Sequence, residues 1–161
     1  MRSKILFGML AFVIAIAAIG RLVLPGLLES ALNVVDEHAP YNISERARTL
    51  HDSLFVVDLH SDALLWDRDL SEQSTRGQVD LPRMRQGNVA IQVFSATTKS
   101  PTGQNYESNE AGTDTITSLA IVSGWPSSTW GSLFARAQYQ LDKLHDLVDA
   151  NKPEVIFIRR K

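Results

Sequence analysis

Thirteen residues constrain this chain more than any others: Leu54 to Trp66, reading LFVVDLHSDALLW. The run Leu54-Phe55-Val56-Val57 is apolar and β-prone, and it leads without a break into Asp58. A short apolar run of this kind predicts a strand buried on both faces, as in a parallel sheet covered by helices. Side chains two apart on a strand point to the same side, so His60 and Asp62 are expected to project together from its C-terminal end. An imidazole and a carboxylate aimed at one point suit a divalent metal such as zinc. Four His and eleven Asp in 161 residues give roughly 0.3 His-x-Asp pairs by chance. The pair therefore draws its weight from its place at a strand end, not from rarity.

Ahead of this stretch the composition is different. Arg2 and Lys4 precede sixteen uncharged residues, Ile5 to Gly20, and after Arg21 comes a second apolar piece, Leu22 to Leu28, interrupted by Pro25-Gly26. Basic residues followed by an apolar stretch have the layout of a secretory signal or a signal-anchor. Sixteen helical residues span about 24 Å, and Leu22 to Leu24 lengthen the span if Arg21 snorkels. The N-terminal basic residues place that end in the cytoplasm and the rest across the membrane. The expectation is an uncleaved anchor over residues 1–30, with the body on the periplasmic or extracellular side. Cleavage after Ala17 or Gly20, giving a secreted protein, is the alternative.

Residues 31–53 read as a linker and a short helix. His38 sits beside Ala39-Pro40 without ligand-like spacing, and Ser44 is placed to cap a helix from Glu45 to Ser53. Asn42-Ile43-Ser44 matches a glycosylation acceptor, relevant only in a eukaryotic source. His51, on that helix, reads as a packing or solvent-facing residue. Beyond Trp66, Asp80 and Pro82 mark a helix start and Gly87 its stop. Asn88 to Ala96 reads as a second buried strand, so strand, helical connection and strand form a βαβ-like unit with parallel pairing. A loop from Thr97 to Thr115 follows. A helix is expected over roughly Glu110–Ser123, and a second over about Gly131–Ala150. The stripe of the second is Leu133, Ala137, Leu141, Leu144 and Val148, opposite Arg136, Gln140, Lys143 and Asp146. His145 borders that stripe as a surface histidine. Glu154 to Ile158 is predicted as a third strand, before Arg159-Arg160-Lys161.

Composition narrows the function. A net charge of −2 gives no footing for nucleic acid, and a hydrophobic share of 44% describes a globular chain. The absence of cysteine excludes disulfides, a thiolate metal site and a Cys nucleophile.

Two motifs at compatible separation resemble one family, the membrane (renal) dipeptidases, peptidase family M19. That family opens its barrel with a strand ending in a D-G-H-x-D-like motif, matched here by Asp58-Leu59-His60-Ser61-Asp62. Further on it has a segment like G-H-x-D-L-P-R-L-x-x-G-x-V-x-x-Q, matched by Gly77, Asp80, Leu81, Pro82, Arg83, Gly87, Val89 and Gln92. The stretch ARAQYQLDKLHDLVDANKPEVIFI resembles the family's helix before its third strand. Leu59 stands where the family has Gly, and Gln78 where it has His.

The resemblance implies an α/β fold, the N-terminal part of a metal-dependent (β/α)8 TIM barrel over residues 54–161. It also implies zinc-dependent hydrolysis of dipeptides at a binuclear Zn2+ centre. His60 and Asp62 carry over as ligands to one of the two ions, the remaining ligands coming from later parts of the family's barrel. It leaves room for a homodimer. A whole barrel needs about 250 residues, and about 130 follow the anchor, so a fragment is expected. Two alternatives stand beside this one. Another amidohydrolase-type metal hydrolase would act on a lactam, a lactone or an N-acyl amino acid. An inactive membrane-anchored remnant would do no chemistry at all.

Overall fold

The computed structural model describes residues 2–159; Met1, Arg160 and Lys161 lie outside the described residues, as do the side chains of Arg2 and Ser3. The chain begins with one long helix, α1 (Arg2–Leu32). From Lys4 to Leu32 it is long and apolar enough to cross a membrane, with a hydropathy of 2.4 and its most apolar window unburied. Pro25-Gly26 was expected to break this segment, yet the helix runs through to Leu32. Proline removes one backbone bond of the ladder, and the last turns are held instead by the body. The Glu29 carboxylate is 3% exposed and lies 3.0 Å from Arg68 Nη1 and 3.1 Å from Arg76 Nε. The N–H of Gly77 donates to Asn33 O at 2.8 Å, and Arg21 donates to Gly124 O at 3.0 Å. Arg21 thus meets a backbone carbonyl of the body, and Glu29 is a buried counter-ion to Arg68 and Arg76.

Next comes α2 (Glu45–Asp52), capped as expected by Ser44, whose hydroxyl accepts from Ala47 N. Strand β1 (Val56–Ser61) pairs in parallel with β2 (Val89–Phe94), and the crossover carries α3 (Leu81–Gln86). This is the predicted βαβ unit. Asp80 caps α3, accepting from Arg83 N at 2.9 Å and pairing with the Arg83 guanidinium. Asn88 precedes β2 in the left-handed region, φ 53°, and its amide donates to Leu54 O at 2.7 Å and His51 O at 3.0 Å. One side chain thereby ties the start of β1 to the end of α2.

The sheet has two strands among the described residues, which changes the burial of β1. Phe55, Val57 and Leu59 share one face and are 72%, 41% and 73% exposed, so that face is open where burial on both was expected. The core lies just past the strand. A 3-10 turn (Ala63–Leu65) is buried throughout and feeds two apolar clusters. Ala63 and Leu64 pack with Leu70, and Leu65 packs with Ile116, Ala120 and Trp125.

Helix α4 (Thr115–Val122) starts later than Glu110 because Asp114 is its cap, accepting from Ile116 N at 3.0 Å. Helix α5 (Leu133–Ala150) is capped by Ser132, near the expected start. Its buried arc keeps Val148 of the predicted stripe, 5% exposed, and Leu144 against the Ala63–Leu64–Leu70 cluster, but differs toward the helix start. Arg136 and Gln140 are 1% and 0% exposed, while Leu133 and Leu141 are 48% and 38% exposed. The Arg136 guanidinium donates to Thr98 O, Thr129 O and Trp130 O, each at 2.7 Å, and to Thr117 Oγ1 at 2.7 Å and Asp114 Oδ2 at 2.6 Å. Loop carbonyls without ladder partners draw these polar groups inward, because a buried carbonyl needs a donor. Burial raises the Asp114 carboxyl, but the bonds from Arg136, Thr117 and the backbone N–H groups of Ile116 and Ser100 outweigh it. Its pKa falls to about 2.

The third strand expected over Glu154–Ile158 does not form. The segment pairs with no strand among the described residues, and Phe157 stacks on the His145 ring at 4.8 Å. Strand propensity specifies an extended backbone, whereas a strand also requires a neighbouring edge.

Candidate metal centre

Site geometry follows from where β1 ends. Its last residues turn at Ser61, and Asp62 lies one position beyond, at the cap of the buried 3-10 turn. His60 and Asp62 converge as expected, with Nε2 of His60 3.3 Å from Oδ2 of Asp62. Both side chains reach solvent, 70% and 46% exposed. Two atoms bound to one tetrahedral zinc at 2.0–2.2 Å stand roughly 3.3–3.5 Å apart. The observed separation therefore fits shared ligation of a single ion, and the imidazole–carboxylate donor set is one that zinc accepts.

The carboxylate is held from the segment just past β2. Ser95 Oγ donates to Asp62 Oδ1, and Thr97 Oγ1 donates to the same oxygen at 2.8 Å. One oxygen of Asp62 is thus occupied by hydroxyls while the other faces His60. Burial raises the Asp62 carboxyl, and the bonds from Ser95, Thr97 and His60 more than offset it, leaving the group below its ordinary value. Asp58 is also lowered, first by the His60 backbone N–H, which donates to its Oδ1 at 3.1 Å, then by Gln92. Neither hydroxyl was singled out in the sequence. The available signal was the run of small hydroxyl residues in FSATT after the second strand, which the parallel pairing brings beside the end of the first.

Behind the site, Lys143 of α5 donates to Leu64 O at 3.0 Å and to Trp66 O, fixing the end of the 3-10 turn. Burial lowers its ammonium pKa. A cleft of about 180 Å³ opens beside Asp62, lined by Asn33, Trp66, Arg68 and Gln78 among others. Gln78, where the resembled family has His, therefore borders the site. Leu59, where that family has Gly, points to solvent without crowding the strand end. A larger cleft, about 600 Å³, runs between α1 and the body past Arg21, Glu29 and Arg76 and contains neither candidate ligand.

The other histidines lie apart from the pair. His38 bonds the neighbouring Ala39 O, His51 lies 3.1 Å from Gly87 O, and His145 stacks on Phe157. Among the described residues, no third His, Cys, Asp or Glu joins His60 and Asp62.

Searches of the curated proteins and of the solved structures return no match. The family model described as membrane dipeptidase (peptidase family M19) matches residues 44–161, a span that takes in both strands, His60, Asp62 and the capped helix of the second motif. With the match covering well over half of its length, the chain belongs to the membrane dipeptidase family, peptidase family M19.

Proposed function

We propose that this chain carries one half of the metal centre of a zinc-dependent dipeptide hydrolase, with His60 and Asp62 as ligands to one zinc ion. The observation that carries the reading is the convergence of His60 Nε2 and Asp62 Oδ2 at 3.3 Å, with the second carboxylate oxygen already occupied by Ser95 and Thr97. When bound, zinc polarises a peptide carbonyl and lowers the pKa of its water. The chain's own residues supply orientation. Asp58 accepts the backbone N–H of His60, the two hydroxyls aim Asp62, and the cleft past Trp66 and Arg68 opens beside that carboxylate.

In this reading β1 and β2 open a (β/α)8 barrel. Support comes from their parallel pairing across a helical crossover and from the apolar face of Phe55, Val57 and Leu59, which a closed barrel wall would cover. Helix α1 anchors the protein in the membrane with its N-terminus in the cytoplasm and the body on the far side. A homodimer is compatible with this arrangement, and nothing in the charge balance favours nucleic acid.

Adding ZnCl2 to the full chain in detergent micelles, with the four imidazoles followed by NMR, tests the ligands. His60 is expected to shift while His38, His51 and His145 stay in place. A panel of dipeptides, N-acyl amino acids, lactams and lactones, assayed with and without chelator, tests the reaction. Chelator-sensitive turnover confined to the N-acyl, lactam or lactone members would replace the dipeptide reading.

A further inference from the structure

Asp62 is aimed by groups that are themselves held from far along the chain. Ser95 has one hydroxyl proton, shared between Ser61 O at 3.1 Å and Asp62 Oδ1. Thr97 is the donor committed to Asp62, at 2.8 Å. It lies beyond β2, where no ladder holds its backbone. What holds it is Gln140, 43 residues later on α5. The Thr97 N–H donates to Gln140 Oε1 at 3.2 Å, and Gln140 Nε2 donates to Thr97 O at 3.1 Å. A side-chain amide thus brackets both polar groups of one loop residue, much as a neighbouring strand would. At the next residue Arg136 Nη1 fixes Thr98 O at 2.7 Å.

Gln140 is 0% exposed, at a helix position turned toward the core. An amide there costs more than an apolar side chain would unless its bonds are used. Its oxygen is satisfied by Thr97 and its nitrogen by Thr97 and Arg136 O. The geometry points to Thr97 and Gln140 as positioning residues for the metal ligand Asp62, Gln140 acting through Thr97. This rests on the metal reading above and adds to it a path from the middle of α5 to one carboxylate oxygen.

Zinc titration of the full chain in micelles, read at the His60 imidazole, tests the path. Removal of an outer-shell hydrogen bond weakens metal binding about 10- to 100-fold, and that loss is expected for Thr97→Val. Thr97→Ser keeps the hydroxyl and is expected within about 3-fold of the parent. Gln140→Met is expected to weaken binding by a similar factor. The double variant Thr97→Val/Gln140→Met should be little worse than the weaker single, because two members of one path are not additive. A merely structural role would lower thermal stability and leave the zinc titration of the folded protein unchanged; that result overturns the proposal. If Gln140→Met does not fold, Thr97→Val against Thr97→Ser decides alone. Asp62→Ala separates the two levels. If His60 then responds to zinc as in the parent, the metal reading itself has failed, and the path with it.

Discussion

Replacing Arg136 by Met removes a donor that serves five acceptors. Its guanidinium is 1% exposed and serves three backbone carbonyls, one hydroxyl and the Asp114 carboxylate. Methionine fills much of the volume, so the cost is that of stranding the partners. Breaking a buried ion pair by removing one member costs about 3–5 kcal/mol. The carboxylate contributes a part that depends on pH. Asp114 sits at about 2 against an ordinary 3.8, and that gap corresponds to about 2 kcal/mol. A depressed carboxyl stabilises the fold above its unfolded pKa, and the contribution is lost as pH falls through the folded value. The parent should therefore lose about 2 kcal/mol from this group between pH 5 and pH 2, and Arg136→Met should lose less. The gap between the two proteins narrows in acid. Urea unfolding in detergent, followed by tryptophan fluorescence at pH 7 and pH 2.5, measures both terms, with Arg136→Lys as a milder variant if Met prevents folding. A cost below 1 kcal/mol at pH 7, or a gap unchanged in acid, would refute the assigned role of this cluster.

Three further outcomes are expected. Glu29→Ala leaves Arg68 and Arg76 without their buried counter-ion; a loss of about 3–5 kcal/mol is expected, with faster proteolysis between α1 and the body on gels. Asp80→Ala removes a cap that is 1% exposed and also pairs with Arg83; the loss should exceed the ~1 kcal/mol of an exposed cap such as Ser44→Ala, by urea midpoint. Lys143→Met strips the donor from Leu64 O and Trp66 O and should cost about 1–3 kcal/mol at pH 7. Because burial lowers the Lys143 pKa in the fold, the parent gains stability from this group as pH rises toward the unfolded value. The Met variant lacks that gain, so paired melts at pH 7 and pH 10 should diverge further at the higher pH.

Several local elements were legible because their signals are short-range. Ser44 and Asp80 each accept from a backbone N–H three residues on, and a cap of that reach can be read from neighbouring letters. His60 and Asp62 were legible as a pair for the same reason, since a spacing of two at a strand end leaves little freedom. The start of α4 was misplaced by five residues because Asp114 competes for the cap and is itself engaged by Arg136, from 22 residues away.

Sequence alone determined the apolar helix, the parallel βαβ unit, its caps and the convergence of one imidazole with one carboxylate. Tertiary structure decided which arc of α5 is buried, because loop carbonyls at Thr98, Thr129 and Trp130 required donors that the apolar stripe lacks. It also decided that Glu154–Ile158 pairs with no strand among the described residues, that the end of α1 docks through Glu29, and that Ser95 and Thr97 hold one oxygen of Asp62. Each of these depends on partners brought together from distant parts of the chain. Local propensity carries no record of which buried group still lacks a hydrogen bond, and that unmet demand is what set the site's orientation.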